Sequence, residues 1–253
     1  MAAPPSVSDL LPLLESDRVW CAYALADLDP HYASDCTWYV RGDAAVLIYA
    51  GLTPPVLFAH GDPHHAAPLM NQVPTGRYQF TLMGIHRDLL GGRMEPEVEK
   101  AMWRMALQAS AFPPMETGAA VRLSSADLQA VLGLTAEHPD RPDAFTADQL
   151  AQGIFFGLHA EDDLVAIAGT HVLAPEFGVA AVGNVFTRPD MRGRGLGTQV
   201  TAAVVRELMV NGLQTIVLNV AMDNHPAIRV YRKLGFWPYR GYYEGVALLK
   251  DIG

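Results

Sequence analysis

Cysteine, positive charge and unbroken apolar runs are all scarce in this chain of 253 residues. The two cysteines, Cys21 and Cys36, show no CxxC spacing, which argues against a disulfide framework or a zinc ribbon. Buried free thiols in a reducing cytoplasm are expected instead. Lys and Arg number 18 against 27 Asp and Glu, a net charge of −9. A general nucleic-acid binder needs a basic footprint, so that class is set aside. A cationic partner such as an amine meets a mildly favourable field. The most apolar stretch, "AAVLIYAGLTPPVLFAH", is interrupted by Gly51 and Pro54-Pro55 and does not suit a membrane helix. The opening "MAAPPSVSDLLPLLESD" has no basic region ahead of an apolar run, unlike a signal peptide. A cytoplasmic chain that binds neither membrane nor nucleic acid is expected.

Half of the residues are hydrophobic and 18% are charged, enough to bury a substantial core. Proline and small residues in "SAFPPMETGAA", residues 110 to 120, read as a linker. Two domains follow: residues 1–112, a smaller α/β domain, and residues 120–253. In the first, helices are expected at Val7 to Glu15 and Val19 to Leu28. Short apolar runs at Thr37 to Val40, Ala44 to Tyr49, Val56 to His60 and Tyr78 to Met83 read as strands joined by turns. Trp103 to Leu107 fits a helix end or a further strand. "HGDPHH", His60 to His65, lacks a regular ligand spacing and reads as a solvated turn, so no metal is expected.

The second part reads as ααβββαβαβ. Ser124-Ser125 starts one helix and "TADQLAQG" forms another. "IFFGLH", "LVAIAGTHVLA" and "VAAVGNVFT" are separated by turns too short for parallel crossovers, which makes them an antiparallel meander. Leu196, Val200, Val204 and Leu208 mark one helix face, and Asn211-Gly212 stops it. "TIVLNV" is a buried strand. Asn224 caps a helix with Pro226 in its first turn, and "FWPYRGYYEGVALL" closes the sheet. The fold class is α+β, a mixed sheet with helices on its faces.

Between the meander and the long helix lies "DMRGRGLGTQV". Glycine weakens a helix by roughly 1 kcal/mol relative to alanine. At a helix N-terminus, however, glycines let free backbone N–H groups reach phosphate oxygens, and Arg192 and Arg194 add positive charge. The stretch therefore reads as a pyrophosphate cradle. It is not a P-loop, because no Gly-Lys-Ser/Thr follows. Nor is it a Rossmann fingerprint: Gly193, Gly195 and Gly197 give GxGxG, and the strands before it are not βαβ.

"VFTRPDMRGRGLGTQVTAAVVREL" resembles the acyl-CoA-binding segment of the GNAT superfamily of N-acetyltransferases. Arg192, Gly195 and Gly197 match that family's [R/Q]xxGx[G/A]. "LNVAMDNHPAIRVYRKLGF" resembles its following strand–helix segment. The likeness covers about residues 120 to 250. It implies a GNAT-like acyltransferase fold for that part and an N-acetyltransferase that uses acetyl-CoA as co-substrate. The acceptor would be a small-molecule or peptide amine. The implied acyl-CoA ligands are Arg192, Gly193, Arg194, Gly195, Leu196, Gly197 and Thr198 at the pyrophosphate. Val185, Phe186 and Thr187 would orient the thioester through backbone N–H groups, and Asn219 and Asn224 lie further along. Tyr231 would be the general acid that protonates the departing thiolate.

A glutamate on the strand before the loop often helps deprotonate the amine in this family. "VAAVGNVFT" offers none, which leaves His171 and Glu176 as candidate bases. Small residues at Ala180, Ala181 and Gly183 suggest room for a longer acyl chain beside the thioester. For the first part, a degenerate second GNAT-like copy and an unrelated α/β cap both stay open, since it has no glycine loop. A non-catalytic acyl-CoA-binding or regulatory protein is the alternative function. The oligomeric state is not readable from the sequence.

Overall fold

The computed structural model describes residues 4–115, 117–136, 138 and 145–251. The chain divides into two compact units. One holds the chain up to Arg104 together with the segment from Tyr239 onward; the other holds Met105–Pro238. The last strand is thus shared out differently from the expected 120–253 domain. From Tyr243↔Leu82 to Leu249↔Gly76 its residues pair antiparallel with a strand of the first unit. That pairing is between residues far apart in sequence, which no local pattern records.

The first unit begins with α1 (Val7–Glu15), whose cap is a Ser6–Asp9 box: the Ser6 N–H donates to Asp9 Oδ2 at 2.9 Å. The second helix, α2, is only Ala22–Ala26, shorter than expected. The Trp20 N–H donates to Asp17 Oδ1 and the Cys21 N–H to the Asp17 carbonyl, which makes a turn of the residues before it. Next come α3 (Pro30–Ala33), β1 (Cys36–Arg41), β2 (Ala44–Tyr49) and β3 (Val56–His60). Helix α4 (Pro63–Met70) leads to β4 (Gly76–Leu82), and α5 (Gly84–Arg87) to β5 (Met94–Leu107). Trp103 to Leu107 is therefore the end of a strand.

Strands β1, β2 and β3 form an antiparallel meander, and β4 lies parallel to β3 with α4 as the crossover. Val46, Leu57, Ala59, Leu69, Met70, Phe80 and Leu82 bury one face. "HGDPHH" is solvated only in part, with Asp62, His64 and His65 exposed. His60 ends β3 and is 7% exposed, while Asp62 caps α4 by accepting from the His64 N–H at 2.7 Å.

The second unit starts after a 3₁₀ turn at Ala109–Ala111 and coil; Glu116 of the expected linker lies outside the described residues. A short strand β6 (Val121–Leu123) precedes α6 (Leu128–Thr135) and α7 (Ala147–Gln152). Three residues carry no legible periodicity, so β6 escapes a sequence reading. The meander is β7 (Phe155–Ala160), β8 (Asp163–Ala174) and β9 (Val179–Thr187), antiparallel as expected. Helix α8 (Leu196–Val210) crosses to β10 (Thr215–Ala221), parallel to β9. Helix α9 (His225–Lys233) and β11 (Phe236–Leu249) complete the chain. Val200, Val204 and Leu208 of α8 are fully buried, worth about 1.5–3 kcal/mol each. Both units thus run through the same succession of three antiparallel strands, a helix and a parallel fourth strand. Cys21 and Cys36 are both free thiols, Cys21 buried. Among the described residues no helix is long and apolar enough to cross a membrane.

Candidate active site

The pairing of β9 with β10 runs from Val179↔Thr215 to Val182↔Leu218 and stops there. Both strands continue, β9 to Thr187 and β10 to Ala221. Past that point β9 keeps β8 on one side and has no registered partner on the side of β10. Val185, Phe186 and Thr187 lie in this open stretch. Asn184 sits at its start with φ 52, a left-handed backbone that re-aims the strand.

The glycine loop follows directly. Its base is held by Arg192, whose Nε donates to the Thr187 carbonyl at 3.1 Å and whose guanidinium lies 5.8 Å from the Phe186 ring centre. Gly193 and Gly195 have φ 78 and 79, and nothing lies within 4 Å of where a Cβ would stand on either. They are glycines for backbone conformation and open space. Gly195 caps α8, and the first bond of the helix, Gln199 N–H to the Gly195 carbonyl, is 3.1 Å. The N–H groups of Leu196, Gly197 and Thr198 precede that bond and have no helical acceptor. Arg192 and Arg194 are exposed beside them. A pocket of about 400 Å³ opens here, lined by Met115, Gly118, Gly195, Thr198, Gln199 and Lys233. Lys233, Gln199 and Met115 are additions that no motif in the sequence marks; Lys233, at the end of α9, brings a further positive charge to the pocket.

Asn219 and Asn224 part company. Asn224 Oδ1 accepts the Ala227 N–H at 3.1 Å and is the cap of α9. Asn219 follows the last β9–β10 rung, and its Oδ1 is buried without a hydrogen-bond partner. A buried acceptor left unmatched is costly, so it suits a ligand with an N–H or O–H to offer. Tyr231 is buried in α9, edge-on to Phe236 at 6.3 Å. Burial pushes its hydroxyl pKa up to about 12, so the hydroxyl stays protonated at neutral pH.

Of the two candidate bases the structure brings in one. His171 lies on β8 against Gly183, where a Cβ would overlap the imidazole. Burial lowers its pKa, opposed in part by a side-chain hydrogen bond with Asn184, and the ring is neutral at pH 7. Glu176 is exposed on the 3₁₀ turn Pro175–Phe177, at the β8–β9 end opposite the loop, and does not reach the open stretch. The suggested acyl space also fails. Ala180 and Ala181 are fully buried in the paired part of β9, and the imidazole takes the volume beside Gly183. Asn184 went unnoticed in the sequence; a left-handed Asn after glycine inside a strand has no periodic signature. Among the described residues no cluster of metal-ligating side chains occurs.

Two parted parallel strands, a glycine turn and an anion-binding helix terminus define an α/β domain shaped for an extended phosphate-bearing ligand. Residues 125–236 match the family model described as Acetyltransferase (GNAT) family. A mycothiol acetyltransferase from Actinosynnema mirum is 32% identical over 199 residues, 72% of this chain and 60% of that protein. Another from Saccharomonospora viridis is 44% identical over 92 residues, 34% of this chain and 30% of that protein. The chain thus spans less than two thirds of the length of these relatives. A GNAT-family protein from Novosphingobium aromaticivorans shares the fold at TM-score 0.61 and 20% identity, over 89% of this chain and 96% of that one. A Drosophila protein does so at 0.71 and 15% identity, over 98% of each.

The glycine geometry makes one expectation sharp. Gly195→Val forces a β-branched residue to φ 79, a strain of about 1–2 kcal/mol. Acetyl-CoA affinity measured by calorimetry should fall about tenfold, with the fold retained by circular dichroism. An unchanged affinity would remove the loop from the binding site.

Proposed function

We propose that the second unit transfers an acetyl group from acetyl-CoA to an amine by direct attack on the thioester. The observation that carries this reading is the glycine turn opening α8 beside the parted ends of β9 and β10. When bound, the thioester supplies an activated acyl carbon and a thiolate leaving group. Arg192, Arg194 and the N–H groups of Leu196 to Thr198 hold the pyrophosphate. Backbone N–H groups of Val185, Phe186 and Thr187 orient the carbonyl oxygen and stabilise its developing charge. His171 takes the proton that the amine loses as the C–N bond forms. Tyr231 donates its hydroxyl proton toward the sulfur as the C–S bond breaks.

The acceptor is a small-molecule or peptide amine. The relatives act in mycothiol chemistry by name, which makes their acceptor the first to assay. The test is release of CoA thiol across a panel of primary amines. Binding of acetyl-CoA with no turnover on any amine would leave a non-catalytic acyl-CoA-binding module in its place.

The same assay run against pH tests the base. A group with a depressed pKa becomes a usable base above that lowered value. At saturating amine, kcat should therefore fall on acidification with a midpoint below the ordinary 6.5 of histidine. His171→Gln should lower kcat and abolish that limb. A limb that persists in the variant assigns proton removal elsewhere.

We infer that the first unit is a degenerate second copy of the same design. Its support is the repeated succession of strands and helices. Between β3 and α4 only Gly61 and Asp62 intervene, where the second unit has an eight-residue stretch from Arg188 to Gly195. Without that loop the first unit has no pyrophosphate cradle.

A further inference from the structure

His86 on α5 is fully buried, and His60 at the end of β3 is 7% exposed. Both belong to the first unit. His86 Nε2 lies 2.9 Å from the Gly61 carbonyl. A carbonyl only accepts, so this nitrogen carries the hydrogen and Nδ1 is bare. His60 Nε2 lies 3.0 Å from Ser16 Oγ, whose own proton goes to the Leu13 carbonyl at 2.6 Å. His60 Nε2 therefore donates as well, and its Nδ1 is bare too. Among the described residues nothing pairs with either Nδ1, and both atoms are buried. The two rings fasten one place from two sides. His60 ties the end of β3 to the end of α1, and His86 ties α5 to Gly61, between β3 and α4.

A proton taken up by either ring goes to Nδ1, which makes a buried cation whose new N–H has no acceptor. The charged groups around the rings do not compensate. Asp17, at the end of α1, favours a charged His60, but it already accepts from Arg240 Nη2 and from the Tyr239 hydroxyl, each at 2.8 Å. Asp43, between β1 and β2, is engaged by His65 Nδ1 at 2.7 Å. Arg240, on β11, opposes a charge on both rings, and His60 opposes one on His86. We propose that His60 and His86 form a proton-operated latch at the junction of β3 and α4, shut while both rings are neutral and opened by proton uptake on mild acidification. Burial lowers the pKa of both rings. Released rings titrate near the ordinary 6.5 and seated rings below it. The latch is therefore at full strength above pH 6.5 and weakens as pH falls from there toward the lower seated values. The opening equilibrium rises by up to about tenfold per pH unit for each histidine.

The experiment follows amide hydrogen exchange of the full chain from about pH 7.5 to about 5.5, corrected for the intrinsic pH dependence of exchange. Protection of the buried α4 residues Ala66, Leu69 and Met70 should fall with pH. His86→Gln keeps an N–H for the Gly61 carbonyl and takes up no proton. Below pH 6.5 its protection should fall less steeply than the parent's, by up to about tenfold per pH unit. His60→Gln combined with His86→Gln should remove the remaining histidine-linked fall. Asp27, at the end of α2, pulls the other way, because burial pushes its carboxyl up to about 7. It is common to parent and variants, so the comparison between them cancels it. An equally steep fall in the parent and the double variant would overturn the proposal. Ring ¹⁵N shifts of the parent give a test that needs no variant. Both rings should stay neutral through pH 6.5 for as long as α4 is protected. Rings that charge with the ordinary midpoint near 6.5 while α4 stays protected would overturn the latch.

Discussion

Tyr231→Phe should lower kcat by about 10²-fold or more while acetyl-CoA affinity stays within a few-fold. The hydroxyl is buried in α9 and its pKa is raised to about 12 by burial alone. Among the described residues no charged group stabilises the phenolate, so the proton stays on oxygen throughout the working range. A thiol has an ordinary pKa of roughly 8.5, so complete transfer from a phenol at about 12 is uphill. The hydroxyl therefore acts in the transition state, as a strengthening hydrogen bond to sulfur that grows with the negative charge there. An interaction made mainly in the transition state appears in kcat rather than in ground-state binding. Single-turnover rates and calorimetric affinities on the same variant separate the two. If affinity and rate fall together, Tyr231 only binds the coenzyme.

Trp20→Ala should destabilise the first unit by about 3–5 kcal/mol in urea denaturation. The indole is fully buried, stacked on Phe58 at 5.3 Å and edge-on to Tyr242 at 5.4 Å. Its Nε1 donates to the Ala59 carbonyl at 3.1 Å, on β3. It also gives one aromatic face to Arg104, which is 1% exposed and has no hydrogen-bond partner on Nε or Nη1. Tyr23 and Tyr242 supply the other faces, at 4.7 and 5.7 Å. Removing the indole opens a cavity and strips a buried cation of part of its compensation. Trp20→Phe keeps a ring and should lose less. A change below about 1 kcal/mol for alanine would mean that the site collapses freely around the gap.

Much of the second unit is legible residue by residue. The spacing of Val200, Val204 and Leu208 places α8, and the same three side chains are buried in it. Asn224 reads as a cap and is one. The turns "AEDD" and "PEFG" are too short for anything but an antiparallel meander, and β7, β8 and β9 follow. Each of these rests on interactions within a few positions along the chain. The first unit is less transparent, because Asp17 ties down the turn that shortens α2, and "HGDPHH" joins a strand end to a helix start that begins at Pro63.

The local pattern of residues was sufficient for the glycine loop, for the helices and strands around it, and for the likeness to an acyl-CoA-dependent family. Tertiary structure alone settled which groups meet. It assigned Tyr239 onward to the first unit, because strand pairing joins residues that sequence spacing never relates. It brought His171 to the open stretch of β9 and left Glu176 at the far end, because strand register decides which end of a sheet a side chain serves. It filled the space beside Gly183 with an imidazole and raised the Tyr231 pKa, because packing and desolvation depend on neighbours from other elements. The left-handed turn at Asn184 belongs with these. Its meaning lies in Gln149 on α7 and His171 on β8, which folding alone places beside it.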